Sequence, residues 1–384
     1  MTLILSIAII ITTLTSFVLA TRWRNLRCTG PLPASLFTFI AILFTSGLDV
    51  GLIMFPLVDF EVYATEAPYA FASPLAIEFG FWGFLVWAFY FLTTFYFCIV
   101  EPRLLLFEIP AIKFVNNLVI IGTCAFTGYL FLVYLPGYIE GISDPFRFGL
   151  VATVILFAAL SSTHIRFVKI LSVASTWLFF ALIAGVWLFS GMGFDGLGRS
   201  AVHIGEYFMN IHRFIMPITD YHQFYLYWWF AWSIMIGQFV SRFVGGLKTW
   251  QLLLALLIVP SIPIGIWFSV LYFYFENDIE VSNFWRLAMI SVGVIFVVNS
   301  LDSLIRLYTR NLGLTIDRLG TGKYVAGNWL ALFSLVLLYQ FTPLKIEWVG
   351  LVVVGLYATV YMLVFQRRKR LAADYSKSSS LSAR

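Results

Sequence analysis

The sequence predicts an all-α polytopic membrane protein, on three grounds: its composition, the recurrence of apolar segments, and the division of charge between the loops that join them. Of its 384 residues, 61% are hydrophobic and 11% charged, with a mean hydropathy of +0.92. That is more apolar surface than a soluble domain can bury, so a soluble enzyme is excluded. A hydrocarbon core about 30 Å thick needs roughly 20 apolar helical residues. Segments of that kind recur along the chain and give about eleven transmembrane helices.

Taken in order, the first span, Leu3 to Ala20, has no basic residue before it and Arg22, Arg24 and Arg27 after it. This is the reverse of a secretory signal, so the segment is expected to be retained. The second, Pro31 to Leu57, holds Gly47, Gly51 and Pro56 around Asp49, a combination that marks a helix prone to unwind. The third, Phe79 to Val100, carries the aromatic row FWGFLVWAFY. At 100° per residue, Trp82, Trp87 and Tyr90 share less than half of a helix circumference. Plain apolar spans follow at Phe114 to Leu135, Phe148 to Ser162 and Val168 to Met192. The connection Gly193 to His222 repeats Ile204, Tyr207, Phe208, Ile211, Phe214 and Ile215 at helical spacing, which predicts an amphipathic helix at the membrane surface. The later spans run Gln223 to Phe243, Trp250 to Phe273, Phe284 to Leu304, Val325 to Gln340 and Trp348 to Phe365.

Charge fixes the orientation. Of the 24 basic residues, 19 fall in alternate loops or in the tail that contains QRRKR, while the opposite loops carry Asp59, Glu61, Glu66, Glu140, Asp144, Asp195, Glu276, Asp278 and Glu280. The basic loops face the cytoplasm, which places the N-terminus outside and the C-terminus inside. This distribution accounts for the net charge of +5 without nucleic acid as a partner; the lipid bilayer is the surrounding medium. The expected organisation is an N-terminal helix with its basic loop (1–30), a first five-helix unit (31–192), the external amphipathic connection (193–222), a second five-helix unit (223–366) and a basic disordered tail (367–384). An odd number of spans per unit means that the two enter the membrane in opposite orientation, a transporter architecture with its site near the midplane.

Three features stand out as chemistry. Asp49 is an acid at a depth where an ionised carboxylate costs at least about 3 kcal/mol without a cation, a proton or polar backbone beside it. The indoles of Trp82, Trp87, Trp228, Trp229 and Trp232 with Tyr90 can form a cage for a quaternary ammonium, which has no N–H to donate and is held by π faces; they can equally belong to an interfacial aromatic belt. The string VVNSLDS offers Asn299 and Ser300 as oxygen ligands for sodium, or as glue between helices. Asp302 and Arg306 have the i, i+4 spacing of an ion pair. Glu78 reads as interfacial, the four histidines sit in or near loops without ligand spacing, and the three cysteines read as core filler. With no GxxxxGK[ST], ATP-driven transport has no support, and no motif calls for a catalytic residue or an organic cofactor.

These residues also resemble a known family. YWWFAWSIMIGQFVSRFVGG, Tyr227 to Gly246, resembles the signature helix of the betaine/choline/carnitine transporters. FWGFLVWAFY keeps the spacing of that family's other aromatic helix, VPSIPIGIWFS resembles the span after the signature, and FVVNSLDS resembles a motif of its sodium-binding helix. The resemblance runs from about Leu43 to Phe365 in the same order. It implies two inverted five-helix repeats of the LeuT-like fold after one extra helix, in a bacterial inner membrane and commonly as a homotrimer. The implied activity is secondary active import of choline, glycine betaine, carnitine or a related methylated osmolyte, coupled to sodium or protons. By matched position it implies Trp82, Trp87, Tyr90 and Trp229 as the substrate box, with Trp228 and Trp232 as accessory aromatics. Phe296, through its carbonyl, Asn299 and Ser300 fall on the sodium ligands. The departures are one span rather than two before the repeats, VDFE in place of an acid–proline pair, Asn299 where a hydroxyl is usual, and the extra acid Asp49, which suits a cationic substrate or a proton. A carrier for an amino acid or polyamine on the same fold, or a transport-inactive receptor or scaffold, are the alternatives.

Overall fold

A computed structural model of the chain describes residues 2–47 and 50–370. Within them, the first span is α1 (Thr2–Arg22), tied to the helix behind it by Ser16 Oγ donating to the Ala88 carbonyl at 3.3 Å. The loop after it forms β1 (Arg27–Thr29), which pairs antiparallel with β2 (Gly245–Lys248). This small sheet laces together two of the basic loops.

The second span comes in pieces: α2 (Leu36–Gly47), α3 (Val50–Met54) and α4 (Pro56–Thr65). Pro56 opens α4, where its missing N–H leaves no bond unmade. Asp49 lies outside the described residues. The third span is also divided, into α5 (Pro74–Trp82), α6 (Trp87–Phe95) and, beyond a π turn at Tyr96–Val100, α7 (Glu101–Leu104). Then follow α8 (Pro110–Tyr134), α9 (Asp144–Ser161), α10 (Ile165–Ser190), the surface helix α11 (Phe194–Met209), α12 (Asp220–Val240), α13 (Thr249–Glu276), α14 (Asn283–Asn311), α15 (Ile316–Leu319), α16 (Thr321–Phe341) and α17 (Ile346–Gln366). Among the described residues nine helical stretches are long and apolar enough to cross a bilayer. The divided second span and the tyrosine- and tryptophan-rich α12 correspond to the other two expected.

The packing follows a repeat of five spans. α6 lies on α13, α8 on α14 and α9 on α16, each a span against its counterpart five crossings later. The contact of α10 with α2 is matched by α17 with α12, that of α9 with α14 by α16 with α8, and that of α10 with α14 by α17 with α8. Each unit has an odd number of crossings, so the second begins on the opposite face from the first. The residues of α5, α6, α12 and the inner face of α14 are among the most completely buried, whereas α1, α9, α16 and α17 present large exposed apolar side chains such as Phe17, Phe157, Phe341 and Phe365. On a membrane protein that is the surface lipid covers.

Four readings from the sequence are corrected here. Asp59 is not a loop acid: α4 continues past the apolar run and buries it to 4% exposure. Glu78 is not interfacial, because α5 begins at Pro74 and carries Glu78 inside, fully buried. His222 is buried, with its ring stacked 4.4 Å from that of Phe81. Among the described residues Asp302 and Arg306 form no ion pair within 4.0 Å. Asp302 accepts from Ser161 Oγ at 2.5 Å and Ser303 Oγ at 3.2 Å, and Arg306 instead donates to the Ser162 carbonyl at 2.6 Å.

Candidate functional site

The aromatic helix does not run straight, so the angular argument for Trp82, Trp87 and Tyr90 fails while the cluster it pointed to is present. At Gly83 the backbone turns extended (φ −104°, ψ 172°) and Phe84 takes φ +39°, so regular helix resumes only at Trp87. The amides released by this break are taken up by two other elements. Phe84 N donates to Ser261 Oγ of α13 at 2.9 Å, and Leu85 N donates to the Tyr207 hydroxyl of α11 at 3.3 Å.

The released carbonyls are taken up by the aromatic cluster itself. Trp229 Nε1 donates to the Phe81 carbonyl at 2.7 Å, and Trp87 Nε1 donates to the Trp82 carbonyl at 3.0 Å. Two indole N–H groups are thereby fixed on backbone, which orients the rings. Around Trp82 stand Trp228 at 5.5 Å, Trp229 at 5.4 Å and Tyr225 at 5.5 Å, all edge to face. Tyr90 meets Trp87 at 5.1 Å and Trp229 at 6.0 Å, and its hydroxyl donates to the Gly47 carbonyl at the end of α2 at 3.1 Å. Gly51 of α3 lies flat against Trp82: a Cβ there would sit 2.6 Å from Cη2 of the indole. The divided second span, the broken third span and α12 therefore converge on one group of rings. Trp232 is buried on α12 but, among the described residues, its indole N–H has no hydrogen-bond partner.

The predicted ion ligands lie in a separate oxygen-rich seam between α2, α10 and α14. Ser300 Oγ donates to the Thr45 carbonyl at 3.3 Å, Ser46 and Ser303 hydroxyls meet at 2.9 Å, and Asn299 Nδ2 donates to Ser175 Oγ at 2.6 Å. Asn299 Oδ1 and Ser172 Oγ, both buried, have no partner among the described residues. Carbonyl, amide and hydroxyl oxygens with acceptor capacity left over are a donor set that suits a hard monovalent cation. Phe296 is buried within the unbroken α14, its ring 6.1 Å from Phe44 and 5.7 Å from Phe179.

No family model matches the chain. It is 24% identical over 284 residues to the glycine betaine transporter OpuD of Bacillus subtilis, a betaine/choline/carnitine transporter. The match covers 61% of this chain and 54% of OpuD, so the chain spans about half of that relative's length. An uncharacterized transporter of Haemophilus influenzae is 28% identical over 148 residues, 35% of this chain and 22% of that one. Among solved structures, a substrate-bound, outward-open sodium-coupled sialic acid symporter is similar at a TM-score of 0.45 and 12% identity, over 96% of this chain and 82% of that one.

Several members of the site escaped the reading of the sequence. Tyr225, Phe81 and Phe55 complete the ring cluster, yet in an aromatic-rich chain nothing in their spacing sets them apart. Ser172, Ser175 and Thr176 did carry a signal: three hydroxyls at i, i+3 and i+4 mark one face of the apolar α10. Ser261, between Pro260 and Pro263, marked a place where helical backbone bonds are missing and polar partners are needed.

Proposed function

We propose that the chain is a secondary active transporter that imports a quaternary ammonium compound, choline, glycine betaine, carnitine or a related methylated osmolyte, driven by a sodium or proton gradient. The observation that carries this reading is the pair of indole N–H bonds to Phe81 and Trp82 carbonyls. With those N–H groups and carbonyls satisfied by each other, Trp87 and Trp229 offer a ligand chiefly ring faces. Ring faces attract a methylated cation, which has no N–H to donate, by cation–π and apolar contact worth about 2 kcal/mol or more once desolvated. A primary amine would ask for acceptors that this cluster has already used. The similarity to OpuD supports the same substrate class.

The rings now pack edge to face, so admitting a ligand requires them to part. Relative movement of the divided second span against the broken third span does this, because Gly51 and Gly47 are the points where the two touch Trp82, Trp87 and Tyr90. Trp82, Trp87, Tyr90 and Trp229 form the box in this reading, with Trp228 and Trp232 accessory to it. Asn299, Ser300 and the Thr45 carbonyl hold sodium if sodium is the driving ion, and Asp49 is the acid that balances a cationic substrate or carries the proton. The protein would sit in a bacterial inner membrane with its N-terminus outside, and a homotrimer is the assembly that fits the family.

Uptake of labelled choline and glycine betaine into proteoliposomes, under imposed sodium or proton gradients with ion-free controls, tests this. Gradient-dependent accumulation abolished by Trp229→Ala is the expected result. Absence of flux and of binding for both compounds would sink the substrate assignment, and competition by a primary amine alone would move it to an amino-acid or polyamine carrier.

A further inference from the structure

Two buried acids near the cage have no place in the reading above. Asp59 of α4 accepts hydrogen bonds from the Tyr221 hydroxyl at 3.0 Å, the Tyr225 hydroxyl at 3.4 Å and the Tyr63 hydroxyl at 3.5 Å. Its other side lines a cavity of about 450 Å³ that also contains Glu66, Asp220 and Tyr134 on the face opposite the basic loops. Deeper in, Glu78 is fully buried, and among the described residues neither of its carboxyl oxygens has a hydrogen-bond partner. It lies beside the Tyr63 hydroxyl and the Trp82 indole N–H without well-formed bonds to either. Trp82 is one helical turn on from Glu78 and is the ring around which the cage is built.

We propose that Glu78 is a protonation site of this protein, supplied from the acidic cavity through Asp59 and Tyr63 and read out by the aromatic cage. A buried carboxyl without partners is tolerated in a membrane protein when it exchanges a proton with a water-filled space. The step balances simply. A proton from cavity water joins the Asp59 carboxylate, passes to the Tyr63 oxygen as that hydroxyl releases its own proton, and ends on the Glu78 carboxylate, which becomes a neutral acid. Among the described residues, the charged or titratable groups facing Glu78 are Asp59 and the hydroxyls of Tyr63, Tyr69, Tyr138, Tyr221 and Tyr225. His222 of α12 has its Nδ1 occupied as acceptor from Ile218 N. On α11, which packs against α5, Glu206 and His203 bind one another and Ser73 N, and Tyr207 takes Leu85 N. Tyr272 is the titratable group of α13 on that side, next to His203 at 5.7 Å between rings. No cation in this set balances an ionised Glu78, so a permanent cation between the rings favours the ionised acid and an empty cage favours the neutral one. By linkage, the proton in turn weakens binding of that cation.

The test does not depend on the substrate. Infrared difference spectra of the full chain in lipid nanodiscs, stepped over roughly pH 5 to 9, should show the carbonyl stretch of a buried neutral carboxyl that disappears as pH rises. Glu78→Gln should remove that band, Glu78→Asp should keep a band at a shifted position, and Tyr63→Phe should keep the band but slow its response to a pH jump. Added choline should move its disappearance to lower pH, and glycine betaine, which carries its own carboxylate, should move it less. If no titrating band is lost in Glu78→Gln, or if sodium at fixed pH abolishes the band as raising the pH does, the proposal is overturned. The use of this site in transport rests on the cage reading. A band that titrates as described but ignores choline would support the protonation site and count against the quaternary ammonium substrate.

Discussion

Gly51→Ala tests the packing on which the site depends, and the sign of its effect is a contest of two terms. In a helix interior, alanine is favoured over glycine by roughly 0.5–1 kcal/mol, so at an open position the change stabilises. At Gly51 the new Cβ would lie 2.6 Å from Trp82 Cη2, 2.9 Å from Trp82 Cζ2 and 2.9 Å from Phe55 Cε2, against an ordinary contact of 3.4 Å or more. The indole would have to retreat by about 0.8 Å. It has nowhere to go, since Trp228, Trp229 and Tyr225 close its other sides at 5.4–5.5 Å, and Phe55 is stacked on Tyr134 at 3.8 Å. Overpacking of this kind costs about 1–3 kcal/mol, which outweighs the propensity gain. The net expectation is destabilisation of about 1–2 kcal/mol with a roughly ten-fold loss of choline affinity as the box is displaced. Thermal unfolding in detergent and choline titration by tryptophan fluorescence measure the two. Gly205→Ala on α11, where an added Cβ meets nothing within 4 Å, is the matched control and should be neutral or stabilising. Equal behaviour of the two variants would refute the claim that the second span and Trp82 are in contact as described.

Trp229→Phe keeps a ring but removes the N–H that binds the Phe81 carbonyl; a loss of about 1 kcal/mol in stability and weaker choline binding are expected by the same two assays. Ser261→Ala leaves Phe84 N without its acceptor at a break that cannot supply another, so a loss of about 1–3 kcal/mol should appear together with faster hydrogen exchange at residues 84–87. Asn299→Ala should abolish sodium stimulation of uptake while leaving choline binding in sodium-free buffer unchanged; retained stimulation would remove the seam as the ion site. Burial by itself would raise the Glu206 carboxyl, but the Ser73 amide and hydroxyl and His203 outweigh it and hold Glu206 below its ordinary value of 4.5. Its contribution is therefore present above that pH and lost as pH falls through the depressed value. Glu206→Gln should remove this component of acid destabilisation in thermal melts taken at descending pH.

Most of the fold could be read because membrane spans obey a simple rule of length and apolarity, and all eleven expected segments have helical counterparts. What failed did so where polar atoms inside the protein replace the rule. Asp59 and Glu78 were assigned to the surface because an acid near the end of an apolar run is usually solvated; two tyrosine hydroxyls of α12, with that of Tyr63 one turn on in α4, hold Asp59 inside. The break at Gly83 was invisible because its amides are satisfied from Ser261 and Tyr207, residues more than a hundred positions away in sequence. The ring cluster was found through Trp82, Trp87, Tyr90 and the YWWFAW run despite an incorrect helical angle, since aromatic density on two spans was the real signal. The Asp302–Arg306 pair shows the opposite error. The spacing was right for an ion pair, but the ends of α9 offered better partners to both residues.

These failures bear on mechanism. Backbone that leaves regular helix inside a membrane must be satisfied locally, and the atoms that do so are then fixed relative to it. Here the satisfying groups come from α11, α12 and α13, so the surface helix and the second unit hold the broken third span in place through Tyr207, Trp229 and Ser261. The second span meets that assembly in two ways: by flat ring contacts at Gly47 and Gly51, and by hydrogen bonds from the Tyr90 hydroxyl to the Gly47 carbonyl, from Trp267 Nε1 of α13 to the Leu52 carbonyl, and from the Tyr221 and Tyr225 hydroxyls of α12 to Asp59 of α4. The ring contacts slide at less cost than a hydrogen-bonded break, and α4, bonded to α12, moves with it. In the transport reading proposed above, the surface that parts is α2 and the start of α3 against Trp82, Trp87 and Tyr90, while Trp229 ties α12 to α5 and Asp59 ties α4 to α12. Cysteines placed for cross-linking should bear this out: a bridge from α2 to α6 should arrest uptake, whereas one from α6 to α12 should leave it running.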